Sequence, residues 1–216
     1  MADRGLFIVL EGGEGAGKTT QVALLSGWMR EAGVDHVAAR EPGGTPVGEA
    51  IREVVLARAD LDVPVETELL LILAARAAFV RDVVRPALEE GKVVLADRFA
   101  LSTLAYQGYG RGLDLATVRS GIDFATGGLR PDLYIVLDLP VPDGTARQRR
   151  AGGDPDRIER AGDGFLERVR QGYLELAGVE RDVATVAASG TAEEVHRRLR
   201  GLLHERFPET FRAPQV

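Results

Sequence analysis

Gly12-Gly13-Glu14-Gly15-Ala16-Gly17-Lys18-Thr19 fits G-x-x-x-x-G-K-[ST], the signature of a phosphate-binding loop. It follows the apolar run Leu6–Leu10 and opens a helix-like stretch, Lys18–Ala32. That context gives the loop its chemistry. Its glycines let backbone N–H groups turn inward around phosphate oxygens, and the helix N-terminus adds partial positive charge. The residues assigned to this cradle are Gly12, Gly13, Glu14, Gly15, Ala16, Gly17, Lys18, Thr19 and Thr20. Lys18 is placed to reach the β- and γ-phosphates of a nucleoside triphosphate, and the Thr19 hydroxyl to ligand Mg²⁺. A guanine-reading Asn-Lys-x-Asp element cannot be present, because the chain contains no Asn.

Outward from the loop, short apolar runs alternate with helical patterns. Leu6–Leu10, His36–Ala39, Val93–Ala96, Leu133–Leu137 and Val183–Ala187 read as strands. Their unbroken aliphatic character suits a parallel sheet covered on both faces. Helices are expected over Lys18–Ala32, Val47–Leu56, Glu66–Glu90, Leu113–Ala125, Asp143–Arg150, Phe165–Ala177 and Ala192–Phe207. The alternation predicts a doubly wound, three-layer α/β fold with a five-stranded parallel sheet flanked by helices. At 216 residues, a single domain over 1–216 is expected. Ligands of such sheets sit beyond the carboxyl ends of the strands.

Composition narrows the function. Hydrophobic residues make up 45% of the chain, enough for a core. A net charge of -6 disfavours a nucleic-acid binder. There is no apolar run long enough for a membrane span, and Met1–Gly5 lead straight into the first strand. Cysteine is absent, which excludes disulfides, thiolate metal sites and a cysteine nucleophile. A cytoplasmic protein is expected. Only Lys18 and Lys92 are lysine, so one of two lysines falls in the loop.

The other strand ends carry further candidates. Arg40-Glu41-Pro42-Gly43-Gly44-Thr45 forms a rigid turn. Asp97-Arg98-Phe99 follows the third strand, with Ser102, Tyr106 and Gln107 beyond it. There Asp97 could hold a metal or its water shell and Arg98 could pair a phosphate bidentately, or the two could simply form a salt bridge. Arg76 lies in the apolar stretch Leu69–Ala75, where it either snorkels to solvent or reaches a polar ligand. Arginines flank Gly152-Gly153 between Arg147 and Arg160. This segment is either a solvated charged helix or a mobile lid whose arginines neutralise charge during phosphoryl transfer.

Together these segments resemble the thymidylate kinases. The resemblance runs from Leu6 to about Phe207 and rests on Glu11–Gln21, Arg40–Thr45, Ala74-Ala75-Arg76, Asp97-Arg98-Phe99 with Ser102, Ala105-Tyr106-Gln107-Gly108, and Asp156-Arg157-Ile158-Glu159. It implies transfer of a phosphoryl group from ATP to dTMP with Mg²⁺, and a homodimer formed through the Glu66–Glu90 helix. Thr19 and Asp97 would serve the metal. Glu14 would lie near the dTMP 3′-hydroxyl, and Arg98 would bridge the dTMP phosphate and the transferred group. Arg76 would read the thymine O4 edge, with Tyr106 packed under the sugar. Pro42 and Gly43 would line the acceptor pocket, and Thr103 and Gln107 would contact the base. Ala188-Ser189-Gly190-Thr191 would lie at the adenine end. Ile72 stands where the family usually has a stacking Phe. Gly15 stands where some members carry an arginine, which points to Arg150 or Arg147 in a lid over about 147–160 as the catalytic arginine. A kinase for another pyrimidine monophosphate and a regulatory ATP-binding protein are the rival readings.

Overall fold

The computed structural model describes residues 4–58, 60–152 and 157–211. Its strands are β1 (Phe7–Gly12), β2 (His36–Arg40), β3 (Val93–Asp97), β4 (Leu133–Asp138) and β5 (Val183–Ala187). All pair in parallel in the order β2-β3-β1-β4-β5. The described helices are α1 (Lys18–Glu31), α2 (Pro46–Arg52), α3 (Val65–Phe79), α4 (Arg85–Glu89), α5 (Ala100–Thr103), α6 (Leu115–Thr126), α7 (Val141–Ala151), α8 (Asp163–Val179) and α9 (Ala192–Arg206).

Alternation along β1 builds two cores. Phe7 and Val9 join a cluster with residues of α3, α6 and α8, including Leu73, Val118 and Val169. Ile8 and Leu10 face the opposite layer, with Leu25 and Met29 of α1 and Leu199 and Leu203 of α9. Successive strand residues point to opposite faces, so a continuous apolar run is what a sheet between two helical layers requires. The three-layer α/β expectation is met.

The central strand β1 registers with β3 on one side (Leu10↔Asp97) and β4 on the other (Gly12↔Leu137). The strand order reverses there, which opens a crevice beyond the carboxyl ends. The phosphate loop, the turn after β2 and the Asp97-Arg98 corner all project into it.

Two helical expectations are corrected. The predicted helix Glu66–Glu90 is α3 and α4 joined through a wide π-type segment, Val80–Val84. Pro86, in the first turn of α4, has no N–H to donate to the preceding turn, and the wider segment absorbs that break. The second is an omission: α5 continues into a π-type segment, Leu104–Gly110, where no helix was predicted. Buried contacts with α6 and α8 hold it despite its glycines. No helix among the described residues is long and apolar enough to cross a membrane. Residues 153–156 of the expected lid lie outside the described residues.

Candidate active site

Two glycines of the loop after β1, Gly12 and Gly15, sit where a side chain would overlap neighbouring backbone. Gly15 has φ +67°, and a Cβ on it would overlap the Gly144 carbonyl of α7. An arginine at this position is therefore refused by sterics as well as by sequence. Gly12 turns at φ +133° against Leu137. Within the loop the buried Lys18 donates from Nζ to the carbonyls of Gly12 (3.1 Å) and Gly13 (2.8 Å). Burial, then the nearby Arg98, lowers its pKa. Thr19 Oγ1 donates to Asp97 Oδ2 at 2.7 Å, which sets a hydroxyl beside a carboxylate at the start of α1.

Arg98 adopts φ +73°, the only positive φ at a non-glycine among the described residues. Glu11, fully buried on β1, holds that corner. Its Oε1 accepts from the backbone N–H groups of Phe99 (2.9 Å) and Ser102 (3.1 Å). Its Oε2 accepts from the hydroxyls of Ser102 and Tyr173. Burial raises the Glu11 pKa against these bonds. The bent backbone aims the Arg98 guanidinium back over the loop. Nη1 donates to Gly12 O (3.1 Å) and Nη2 to Glu14 Oε1 (2.6 Å). Tyr106 Oη donates to the same Glu14 oxygen at 2.6 Å, and its ring lies 4.9 Å from the Arg98 guanidinium carbon. Burial opposes the Arg98 charge, but Glu14 and neighbouring groups outweigh it and raise the pKa above its ordinary value.

The third element is α3. Glu68, Ile72 and Arg76 are spaced four residues apart and share one face. Arg76 is 2% exposed, so it does not snorkel. Nε donates to Glu41 Oε2 (2.8 Å), Nη1 to Thr103 Oγ1 (2.7 Å) and Nη2 to Phe99 O (2.9 Å). Glu41 Oε1 is buried without a hydrogen-bond partner among the described residues. Burial outweighs Arg76 and lifts the Glu41 carboxyl to about 7. One turn before Ile72, Glu68 accepts from Gln107 Nε2 (2.9 Å), from Arg111 and from Arg157.

These elements line one cleft of about 670 Å³. It runs from the phosphate loop to Pro42, Ile72, Arg76, Thr103, Tyr106 and Gln107 on one side. On the other it reaches Gly190, Thr191 and Ala192 between β5 and α9. Glu14, Gly15, Ala16, Gly17, Lys18, Thr19, Thr20, Asp97, Arg98 and Arg147 also line it. Gly12 and Gly13 stand behind the wall and offer carbonyls to Lys18. Gly43 packs against the Glu49 carboxylate instead. On α7, Arg147 donates to the carbonyls of Ala188 (3.0 Å) and Gly190 (3.3 Å), which ties α7 to the loop after β5. Arg150 is exposed and outside the lining.

Sequence reasoning assigned no role to Glu11, Glu41, Glu68 or Tyr173. For Glu68 a signal existed, an acid two turns before Arg76 on the same face of an apolar helix. For Tyr173 there was none, because α8 meets the site only through tertiary packing. Chemically, the cleft joins an anion cradle, two buried cations and a hydroxyl–carboxylate pair to a half-apolar pocket with hydrogen-bonding groups. That combination suits phosphoryl transfer to a small, flat acceptor.

Comparison with known proteins agrees in scope. The family model described as "Thymidylate kinase" matches residues 10–199. A thymidylate kinase of Pseudomonas putida (strain GB-1) is 49% identical over 200 residues, 92% of this chain and 95% of that protein. One from Desulforudis audaxviator (strain MP104C) is 48% identical over 211 residues, 94% of this chain and 93% of that protein. The crystal structure of thymidylate kinase from Ehrlichia chaffeensis superposes with a TM-score of 0.76 at 30% identity, covering 93% of this chain and 99% of that one.

Proposed function

Because the chain belongs to the thymidylate kinase family, we infer that its cleft transfers the γ-phosphate of ATP to dTMP, giving dTDP for deoxynucleotide synthesis. One observation carries this reading. Arg98, which lines the cleft, pairs with Glu14 of the phosphate loop, and donor and acceptor phosphates would meet at that pair.

The loop Gly12–Thr20 cradles the ATP phosphates through its N–H groups, and Lys18 neutralises their charge. To do so Lys18 exchanges its contacts with the Gly12 and Gly13 carbonyls for phosphate oxygens. Arg98 likewise trades Glu14 for the acceptor phosphate. An oxygen of the dTMP phosphate forms the new P–O bond as the bond from the γ-phosphorus to the β–γ bridging oxygen breaks, and ADP leaves. No enzyme-bound covalent intermediate is needed, since positioning and charge neutralisation carry such reactions. Thr19 and Asp97 offer two hard oxygens 2.7 Å apart, a donor set that fits Mg²⁺, which keeps most of its water and takes few protein ligands. Mg²⁺ held there would neutralise phosphate charge.

On the acceptor side, Arg76, Thr103, Gln107 and Ile72 contact the base. Tyr106 and Glu14 hold the sugar, and Pro42 shapes the wall, while Gly43, expected to join it, stands outside the lining. Arg147 or Arg150, at the α7 end, would supply the remaining positive charge over the transferred group; of the two, Arg147 lines the cleft. The test is a coupled assay for ADP with ATP, Mg²⁺ and a panel of nucleoside monophosphates. Turnover is expected to be fastest with dTMP. ATP hydrolysis without transfer to any acceptor overturns the reading.

The functional unit we propose is a homodimer in the cytoplasm. Leu70 on α3 and Phe124 on α6 are 66% and 92% exposed, on helices that pack side by side. A second copy would cover such large apolar side chains. Light scattering should return twice the 23.2 kDa of one chain; a mass of one chain at micromolar concentration refutes the dimer.

A further inference from the structure

Gln107 has an amide that can face the cleft in two ways, and one neighbour decides between them. Its Nε2 donates to Glu68 Oε1 at 2.9 Å. Glu68 is 1% exposed and also accepts from Arg111 and Arg157. Burial works against its charge, but the hydrogen bonds from Gln107, Arg111 and Arg157 outweigh it and hold the carboxyl below its ordinary value. Glu68 is therefore an ionised carboxylate, and such a group only accepts. A Gln107 carbonyl turned toward it would set oxygen against oxygen. The amide must point its NH₂ at Glu68, and Oε1 is the atom left over. Among the described residues nothing donates to Oε1, and Gln107 lines the cleft.

Arg76 presents the opposite polarity nearby. Each of its Nη nitrogens carries two N–H groups, and one on each is engaged by Thr103 or Phe99. The site thus offers donors from Arg76 and an acceptor from Gln107. Thymine and uracil present O4 as acceptor and N3–H as donor, which match. Cytosine presents an amino donor in place of O4 and a bare N3 acceptor, so both partners are reversed.

We propose that Glu68 sets the choice of pyrimidine, by locking the Gln107 amide with its carbonyl toward the cleft so that the site demands an N3–H. Glu68 touches no substrate; it is a positioning residue acting through Gln107. The proposal rests on the reading that the acceptor base lies beside Arg76 and Gln107. A site built around one hydrogen-bond polarity rejects the reversed one strongly, because its buried groups are left unpaired.

Glu68→Gln supplies an amide that can donate to Gln107 Oε1, so the Gln107 side chain can turn over. The measurement is kcat/KM for dTMP, dUMP and dCMP in wild type, Glu68→Gln, Gln107→Leu and the double variant. In Glu68→Gln the dTMP:dCMP ratio should fall by about 10-fold or more, the size of one lost polar discrimination. The dTMP:dUMP ratio should hold, since both bases carry N3–H and O4. Gln107→Leu should lower the dTMP:dCMP ratio at least as far, with no further fall in the double variant. A Glu68→Gln enzyme that loses activity equally on all three acceptors has lost only structure, and that overturns the proposal. If Gln107→Leu changes the ratio and Glu68→Gln does not, the base placement stands and the locking role fails. If neither changes it, the base placement fails. Wild-type protein gives a check independent of any variant's folding. The Gln107 side-chain NH₂ protons in ¹⁵N-labelled protein should exchange slowly before dTMP is added. Protection that arises only with dTMP would place the NH₂ in the cleft and overturn the lock.

Discussion

Arg98 Nη2 donates to Glu14 Oε1 at 2.6 Å across the phosphate loop, so the cation proposed to face the acceptor phosphate rests on a carboxylate in the absence of one. The pair is partly exposed, with side chains 17% and 16% accessible, so its contribution to stability is modest. In the proposed mechanism its contribution to catalysis is large. Arg98→Lys keeps the charge but loses the planar fork that can engage two oxygens at once. We expect kcat to fall by at least about 100-fold, the usual cost of removing one transition-state donor, with little change in the melting midpoint. Steady-state kinetics beside a thermal melt checks both halves. Wild-type kcat in the lysine variant rules out the bridging role.

Lys18 separates function from fold in the same way. Burial lowers its pKa, so the folded state gains little from holding a proton there. Its partners in the structure are two loop carbonyls. Lys18→Ala should abolish transfer and leave the apo melting midpoint within a few degrees of wild type. Retained turnover contradicts the phosphate role. A large drop in the midpoint would show that the lysine braces the loop.

Glu41 makes stability depend on pH near neutrality. Its carboxyl sits at about 7 in the folded chain, against an ordinary 4.5, because burial outweighs Arg76. The folded state therefore binds a proton more tightly than the unfolded chain does. The stability this proton confers is fully present below about 4.5 and is lost as pH rises through about 7. The difference corresponds to at most about 3 kcal/mol. Glu41→Gln is neutral throughout and removes the dependence. The midpoint of the variant minus that of wild type should grow between pH 5 and pH 8. Parallel curves over that range would refute the shift.

How much of this was readable in advance depends on how far each contact reaches along the chain. The phosphate loop was legible because Gly12–Thr19 carry their own requirement, a backbone that curls around an anion and continues into a helix. The strands were legible because Leu6–Leu10, Val93–Ala96 and Leu133–Leu137 are runs without a charged residue. Arg76 was visibly anomalous in an apolar helix, but its partners were not. Glu41 is 35 positions away and Thr103 is 27, and sequence periodicity has no access to pairs so distant. The helical segment through Tyr106 and Gln107 was not expected; Gly108 and Gly110 weaken a helix, and burial against α6 and α8 overrides that. Gly15 was noticed as a missing arginine. Its reason, the approach of Gly144 on α7, is tertiary.

Ile72 tests whether the acceptor pocket can be improved. It lies one turn before Arg76 on the same face, is 8% exposed, belongs to the core cluster under α3, and also lines the cleft. The two memberships make opposite demands. A phenyl ring directed into the core would overpack it, at a cost of roughly 1–3 kcal/mol in stability. The same ring directed into the cleft would meet open volume and lie beside the base that Arg76 is proposed to read. The second direction is favoured, because Ile72 lines the cleft, whose open volume can take added atoms, whereas the close-packed core cannot. An isoleucine covers a thymine face by dispersion alone. A stacked ring adds about 0.5–1.5 kcal/mol beyond burial, which is about a 2- to 12-fold gain in affinity. Ile72→Phe should therefore tighten dTMP by that factor and leave ATP unchanged, since Ile72 lines the arm of the cleft that leads away from Gly190, Thr191 and Ala192. Calorimetric titration of both ligands beside a melt separates the outcomes. A tighter dTMP with an unchanged melt supports stacking. A weaker dTMP with an unchanged melt means that Tyr106 or Phe99 already occupies the stacking position. A lowered melt without selective change at dTMP means that position 72 serves the core, and in either of these last two cases the stacking argument is wrong.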